Sequence, residues 1–428
     1  MTDTAHRVVV TGLGVLTALG EGMAETWSGL LEGRSGIGPL RAYDPSPLRT
    51  RIGAEIAGFD PGAYASRRTL RMLNRGDRLA LAGASLAVSD AGLDGTGELG
   101  YRTGLFLGGN KEMPRMEELI GAVGAARDER GRVDLATLGR TASSQITPLF
   151  FVEGLQPAAA FHISAKFGIR GANAFFAGTA DAGLAAIGHG ARAVRRGEAD
   201  VVVAGGYDDA TSWWPMSKMD GLGVLTTRNE SGDAAFRPYD VDRSGSVFGE
   251  GAALLVLEER EHAQARGARI YAEVTGYGAG NDGVAPPMPD PRARGLSRAI
   301  GNALRTAGRG VRTDYIAAHG CATPLGDVSE TRALHDALGG AAAAAEISSV
   351  KPQTGHLVGG AGALNAAVTA MALHTGVVPA TRNLETPGPG CDLDYVPGDP
   401  RDSRPATALA LARGLEGQAV AVAMDGVR

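Results

Sequence analysis

Short apolar runs alternate with longer stretches of helical periodicity along most of this 428-residue chain. Val8 to Val10 opens it as a strand running into the glycines Gly12 and Gly14. Between Ala182 and Val194 the apolar residues Leu184 to Ile187 and Ala191 recur at helical spacing, while Arg192, Arg195, Arg196 and Glu198 arrive late. That pattern predicts a buried helix with a wet C-terminal turn. Ala199 to Gly206 then reads as a buried strand, and Ala252 to Glu258 as another. A new strand begins at Arg269 and again meets glycines, echoing the start of the chain. Helices over 295–307, 329–338 and 362–375 alternate with strands over 315–318 and 347–350, and two strands near Ala408 and Ala419 close the chain. Repeated β–α alternation predicts a layered α/β fold. The echo predicts a duplicated unit, with an N-terminal half over 1–260 and a C-terminal half over 261–428.

Two other stretches change the picture less. Arg67 to Ala91 reads as one helix with a basic start at Arg67, Arg68, Arg71, Arg75 and Arg78. It is either a solvated face or a dock for an acidic partner. Lys111 to Arg140 is charged and irregular, a surface insertion or a flap at an interface.

Composition mainly excludes. A formal net charge of −5 gives no support for a nucleic-acid partner. Glycines and charges interrupt every apolar run, so no membrane span is expected. Arg7 is followed by only three valines, a strand rather than a signal peptide. Two cysteines, Cys321 and Cys391, argue against a disulfide framework and fit a reducing cytoplasm. The histidines and cysteines lack ligand spacing, so neither a metal nor another cofactor is indicated.

Candidate chemistry sits where predicted strands end. The turn Thr179, Ala180, Asp181 precedes the buried helix, a place where helix partial charge would activate a thiol, yet it holds no cysteine. In the second half His319 follows a strand, and Lys351 and His356 flank a Gly-rich loop. Strand ends are where α/β sheets build sites. Two imidazole N–H donors aimed at a thioester oxygen would stabilise an enolate or a tetrahedral oxyanion. Carbon–carbon bond formation would also need a nucleophile to hold the first acyl group.

These residues carry a resemblance. Val9 to Gly14, Gly188 to Gly206, Arg237 to Asp240, Gly249 to Gly251, His319-Gly320 with Thr323-Pro324, and Lys351 with Thr354 to His356 stand in the order seen in β-ketoacyl synthases. The chain therefore resembles that family of the thiolase superfamily. The resemblance implies a thiolase-like five-layered α-β-α-β-α sandwich of two duplicated halves, usually dimeric. It implies His319 and His356 as the active-site histidines, Lys351 as their lysine and Glu330 as an acid supporting that lysine. It implies acyl and malonyl thioesters on an acyl carrier protein as ligands, with Arg67, Arg68 and Arg71 as carrier contacts.

The departures are informative. Counted without a gap, the family's cysteine falls on Ala180; a one-residue shift would place Asp181 there instead. Neither is a thiol. Ala412 to Gln418 replaces the family's glycine- and phenylalanine-rich gating loop and resembles chain length factors, the non-condensing partners of type II polyketide ketosynthases. The 127–132 and 393–398 segments resemble that branch too, whereas the two retained histidines resemble active synthases. Three readings follow: a chain-length-factor-like subunit paired with a ketosynthase or with itself, a malonyl decarboxylase using His319, His356 and Lys351, or a synthase whose cysteine has been replaced by Ala180. Cys321 reads as a small buried residue rather than a relocated nucleophile.

Overall fold

The computed structural model describes residues 6–95, 97–110 and 115–427. Ten strands carry the fold. In the first half these are β1 (Val8–Thr17), β2 (Thr103–Gly109), β3 (Asn173–Ala177), β4 (Val201–Asp208) and β5 (Gly251–Glu259). In the second they are β6 (Ala272–Asn281), β7 (Tyr315–Ala317), β8 (Glu346–Ser348), β9 (Thr407–Arg413) and β10 (Gln418–Asp425). The first five pair in the order β1-β5-β4-β2-β3 and the second five in the order β6-β10-β9-β7-β8. Pairing sense repeats as well. The two outer pairings at β2 and at β7 are parallel, and the remaining two in each set are antiparallel. Among the described residues, the sets pair edge to edge where Val9 and Val10 of β1 meet Glu273 and Ala272 of β6.

Six helices make the layers: α1 (Arg75–Asp90), α2 (Ala158–Phe167), α3 (Ala180–Arg195), α4 (Arg294–Thr306), α5 (Pro324–Leu338) and α6 (Ala361–Thr375). α1 and α2 cover the outer face of the first sheet, and α4, with α5 against it, covers the second. α3 and α6 lie between, packing on each other and on both sheets. This is the expected α-β-α-β-α sandwich. Both central helices are buried nearly all round, as a helix walled by two sheets must be. Small residues permit that closeness. A Cβ on Gly183 of α3 would lie 2.7 Å from the Gly359 carbonyl oxygen and 3.0 Å from Gly206 Cα.

Three expectations are corrected. Gly12 and Gly14 form no turn: β1 continues through them with a shift of register between Val10 and Gly12, and a Cβ at Gly14 would come within 2.0 Å of the Gly83 oxygen on α1. The 67–91 stretch is two helices, Arg67–Leu70 and α1, because Leu73 turns into the core and the Asn74 side chain caps Asp77. Arg75 then pairs with buried Glu250 while its own side chain stays 43% exposed, and half-buried Arg78 donates to the Leu70 carbonyl, so both are tied to the fold rather than free. The proposed irregular flap contains helices Met116–Ala125 and Leu135–Gln145; residues 111–114 lie outside the described residues. Among the described residues no helix is long and apolar enough to cross a membrane.

Candidate active site

Ala180, His319 and His356 line one cavity of about 120 Å³. Each arrives from a loop at a strand end. Ala180 is the first residue of α3, just after β3. His319 lies two residues beyond β7, and Lys351 and His356 lie between β8 and α6. The topological repeat thus brings the loop after β3 and the loop after β8 to the same place from opposite halves.

Backbone hydrogen bonds set the histidine tautomers. The Arg413 N–H donates to His319 Nδ1 at 3.4 Å, and the Val358 N–H donates to His356 Nδ1 at 3.0 Å. An amide N–H can only donate, so each Nδ1 is an acceptor and each neutral ring carries its proton on Nε2. Burial holds both imidazoles well below their ordinary pKa, and the nearby Lys351 charge pushes in the same direction. The ring centroids stand 5.4 Å apart in an edge-to-face arrangement. Two neutral rings with Nε2–H donors are a pair able to stabilise charge on one carbonyl oxygen. Val358 holds its N–H in place with a φ of +41°, an uncommon conformation for a β-branched residue.

Lys351 is buried and its Nζ donates to the His319 carbonyl. Burial lowers its pKa to about 8, against the opposing fields of Glu330, Cys321 and Asp327. Glu330 forms no ion pair with Lys351 among the described residues. Its carboxylate accepts from the His319 N–H at 2.7 Å, the Gly320 N–H at 2.8 Å and the Tyr239 hydroxyl at 2.8 Å. It therefore fixes the turn that carries His319 and reaches the lysine only through its field. Arg67, Arg68 and Arg71 are exposed around the short Ser66-capped helix and line no part of the cavity.

Sequence reasoning missed several supporting groups. Asn365 of α6 donates to the carbonyls of Ala318 and Leu411, tying β7 to β9 beneath the site. Asp327 accepts from Tyr239 and Ala322. Arg413 lines the cavity and pairs with Asp282 at 2.8 Å, both side chains being buried. A lone arginine ending the apolar run Leu409 to Ala412 was the available signal. Cys321 is half-buried rather than buried and lines the cavity. Its thiol is pushed up to about 11 by burial and the Asp327 charge, which keeps it protonated.

The layered architecture is that of thiolase-like proteins. The chain belongs to the β-ketoacyl synthase family: residues 5–263 match the beta-ketoacyl synthase N-terminal domain and residues 271–385 the C-terminal domain. It is 36% identical over 414 residues to 3-oxoacyl-[acyl-carrier-protein] synthase 2 of Coxiella burnetii, covering 96% of each chain. It is 37% identical over 430 residues to putative polyketide beta-ketoacyl synthase 1 of Streptomyces halstedii, covering 99% of this chain and 98% of that one. Among solved structures it resembles the ishigamide ketosynthase/chain length factor, with a TM-score of 0.88 and 29% identity, covering 99% of this chain and all of the other.

Proposed function

We propose that this chain is a chain-length-factor-like partner subunit that pairs with a cysteine-bearing ketosynthase in acyl chain elongation on an acyl carrier protein. The observation that carries this reading is Ala180. It occupies the N-terminus of α3 and lines the cavity with both histidines, where the family's first acyl group would be held on a thiol. A methyl group cannot take it. The turn after β9 supports the same reading. The Leu415 N–H donates to the Thr179 hydroxyl at 2.8 Å, which fastens this turn to the helix start, and Arg413 at the end of β9 is bound to Asp282 beyond β6. A subunit partner fits the surface as well. β3 is the edge strand of the first sheet, and Leu135, Phe151 and Phe161 in the same half are exposed by 76%, 73% and 68%. We place the boundary between the halves at residue 260 and the protein in a reducing cytoplasm. Arg67, Arg68 and Arg71 are our candidates for carrier contact.

The intact histidine pair favours one second reading, decarboxylation of a malonyl thioester. The bond to the carboxylate would break, carbon dioxide would leave, and the Nε2–H donors of His319 and His356 would hold the enolate until a proton from water completed an acetyl thioester.

Intact-mass analysis with malonyl and acyl carrier thioesters separates these readings. The chain alone is expected to gain no acyl group and to form a stable pair with a ketosynthase on gel filtration. Acetyl-carrier formation by the chain alone, lost in His319→Ala, would establish the decarboxylase instead. Acyl loading and condensation restored by Ala180→Cys, without any partner, would show a synthase lacking only its thiol.

A further inference from the structure

Two buried side-chain oxygens beside one glycine have no hydrogen-bond partner among the described residues. They are Oδ1 of Asp181, in the first turn of α3, and Oε1 of Gln418, the first residue of β10. A Cβ on Gly414 would lie 2.4 Å from Asp181 Oδ1 and 3.0 Å from Gln418 Oε1, so both stand against the same point of the chain. Asp181 is 7% exposed, so water cannot readily serve its inner oxygen. Ionised carboxylate and amide oxygens only accept. A proton on Oδ1 removes both defects at once, because the carboxyl then donates and the amide oxygen accepts.

The neighbouring charges favour that proton. Burial and the Glu416 charge both oppose ionisation of Asp181. Tyr277 of β6 feels the Asp181 charge and is itself pushed up chiefly by burial. The cations nearby are engaged elsewhere: the Arg192 guanidinium lies 4.5 Å from the centre of the Tyr277 ring, and that of Arg413 is bound to Asp282. Asp181 has no ion pair among the described residues.

The turn beside this pair is a wall of the cavity, lined by Gly414, Leu415 and Gly417. It is closed on itself, with the Gly414 N–H donating to the Gln418 carbonyl at 2.7 Å and the Gly417 N–H to the Gly414 carbonyl at 3.1 Å. Thr179 ties it to the helix start through Leu415 and Glu416. Once Asp181 ionises, it and Glu416 are like charges acting across that tie. We propose that Asp181 and Gln418 form a proton-bound latch: the protonated carboxyl donates from Oδ1 to Gln418 Oε1 and fixes the 414–417 wall, and loss of the proton releases it. The latch is closed below about pH 6 and released above it, where the carboxyl titrates. It is independent of the partner-subunit reading.

Hydrogen exchange over residues 414–418 of the full chain, corrected for the intrinsic pH dependence of exchange, tests it. Protection of these amides is expected to fall about tenfold between about pH 5 and about pH 8. Asp181→Asn should keep the protection at both, since its amide N–H serves Gln418 without titrating. Gln418→Leu should lose the protection on the acid side. Alkylation of Cys321, which lines the same cavity, gives a second readout. The ratio of parent to Asp181→Asn rates cancels the ionisation of the thiol; it should be near unity on the acid side and rise several-fold on the alkaline side. Equal protection of the parent at both pH values, or the same fall in Asp181→Asn, would overturn the latch. So would loss of protection in Gln418→Leu on the alkaline side alone, which would mean that the Gln418 amide turns its N–H toward the ionised carboxylate.

Discussion

The loop after β3 and the loop after β8 occupy equivalent places in two halves of the same topology, yet they are built on opposite terms. The second-half loop and its neighbours are dense with paired polar groups. Glu330 satisfies two backbone N–H groups and a hydroxyl, Lys351 holds the His319 carbonyl, and Asn365 bridges two strands. The first-half turn offers a methyl group at Ala180 and a buried carboxyl at Asp181 whose Oδ1 has no partner. On the proposed reading, the histidine side is an assembled network in which removing any member strands the rest, whereas the group held at Ala180 would be one atom at a helix end whose loss strands nothing.

This contrast sets the order of expected effects. Glu330→Ala should be the most damaging change, because three buried donors lose their acceptor together beside a buried lysine. A loss of about 3–5 kcal/mol is expected in urea unfolding, with the histidine turn released. A loss below ~1 kcal/mol would mean that the network is not shared as described.

Asp181 tests the other loop through pH. Burial raises its carboxyl from 3.8 to about 6, and the Glu416 charge adds to the shift. The native chain then binds this proton more readily than the unfolded chain does. Its contribution to stability is therefore greatest at low pH, falls as pH rises from about 4 to about 6, and is level above that. Asp181→Asn should flatten that slope and stabilise the protein at neutral pH by on the order of 2 kcal/mol. Parallel pH profiles of parent and variant would break the comparison.

The smallest effect is expected at Thr179. Its hydroxyl accepts from Leu415 and donates to Glu416 at 3.2 Å. Thr179→Val should cost about 1 kcal/mol in thermal unfolding and should leave the histidine loop untouched. A larger loss would show that the 414–417 turn depends on this single contact.

The legibility of the sequence follows the same division. The helix from Ala180 to Arg195 and the glycine-flanked His319, Lys351 and His356 could be read directly, since periodicity and turn residues are local signals. The two-helix break at Arg71 to Asn74 could not. Five arginines look alike until Leu73 is seen to be buried and Glu250, far along the chain, is seen to claim Arg75. Helices Ala158–Phe167 and Trp213–Leu222 were also unread, being short and lacking a clean polar face. Arg413 and Asp282 are 131 positions apart, and nothing local to either announces the other.

The contact of Gly183 with Gly206 and Gly359 bears on how such a protein can change its trade. There the central helix meets β4 and the 358–360 turn main chain against main chain. Geometry fixed in this way is indifferent to which residue stands at the helix entrance. On the reading proposed above, exchange of the group at the helix entrance leaves this packing of the central helix intact, and loss of the reactive atom is separated from collapse of the scaffold.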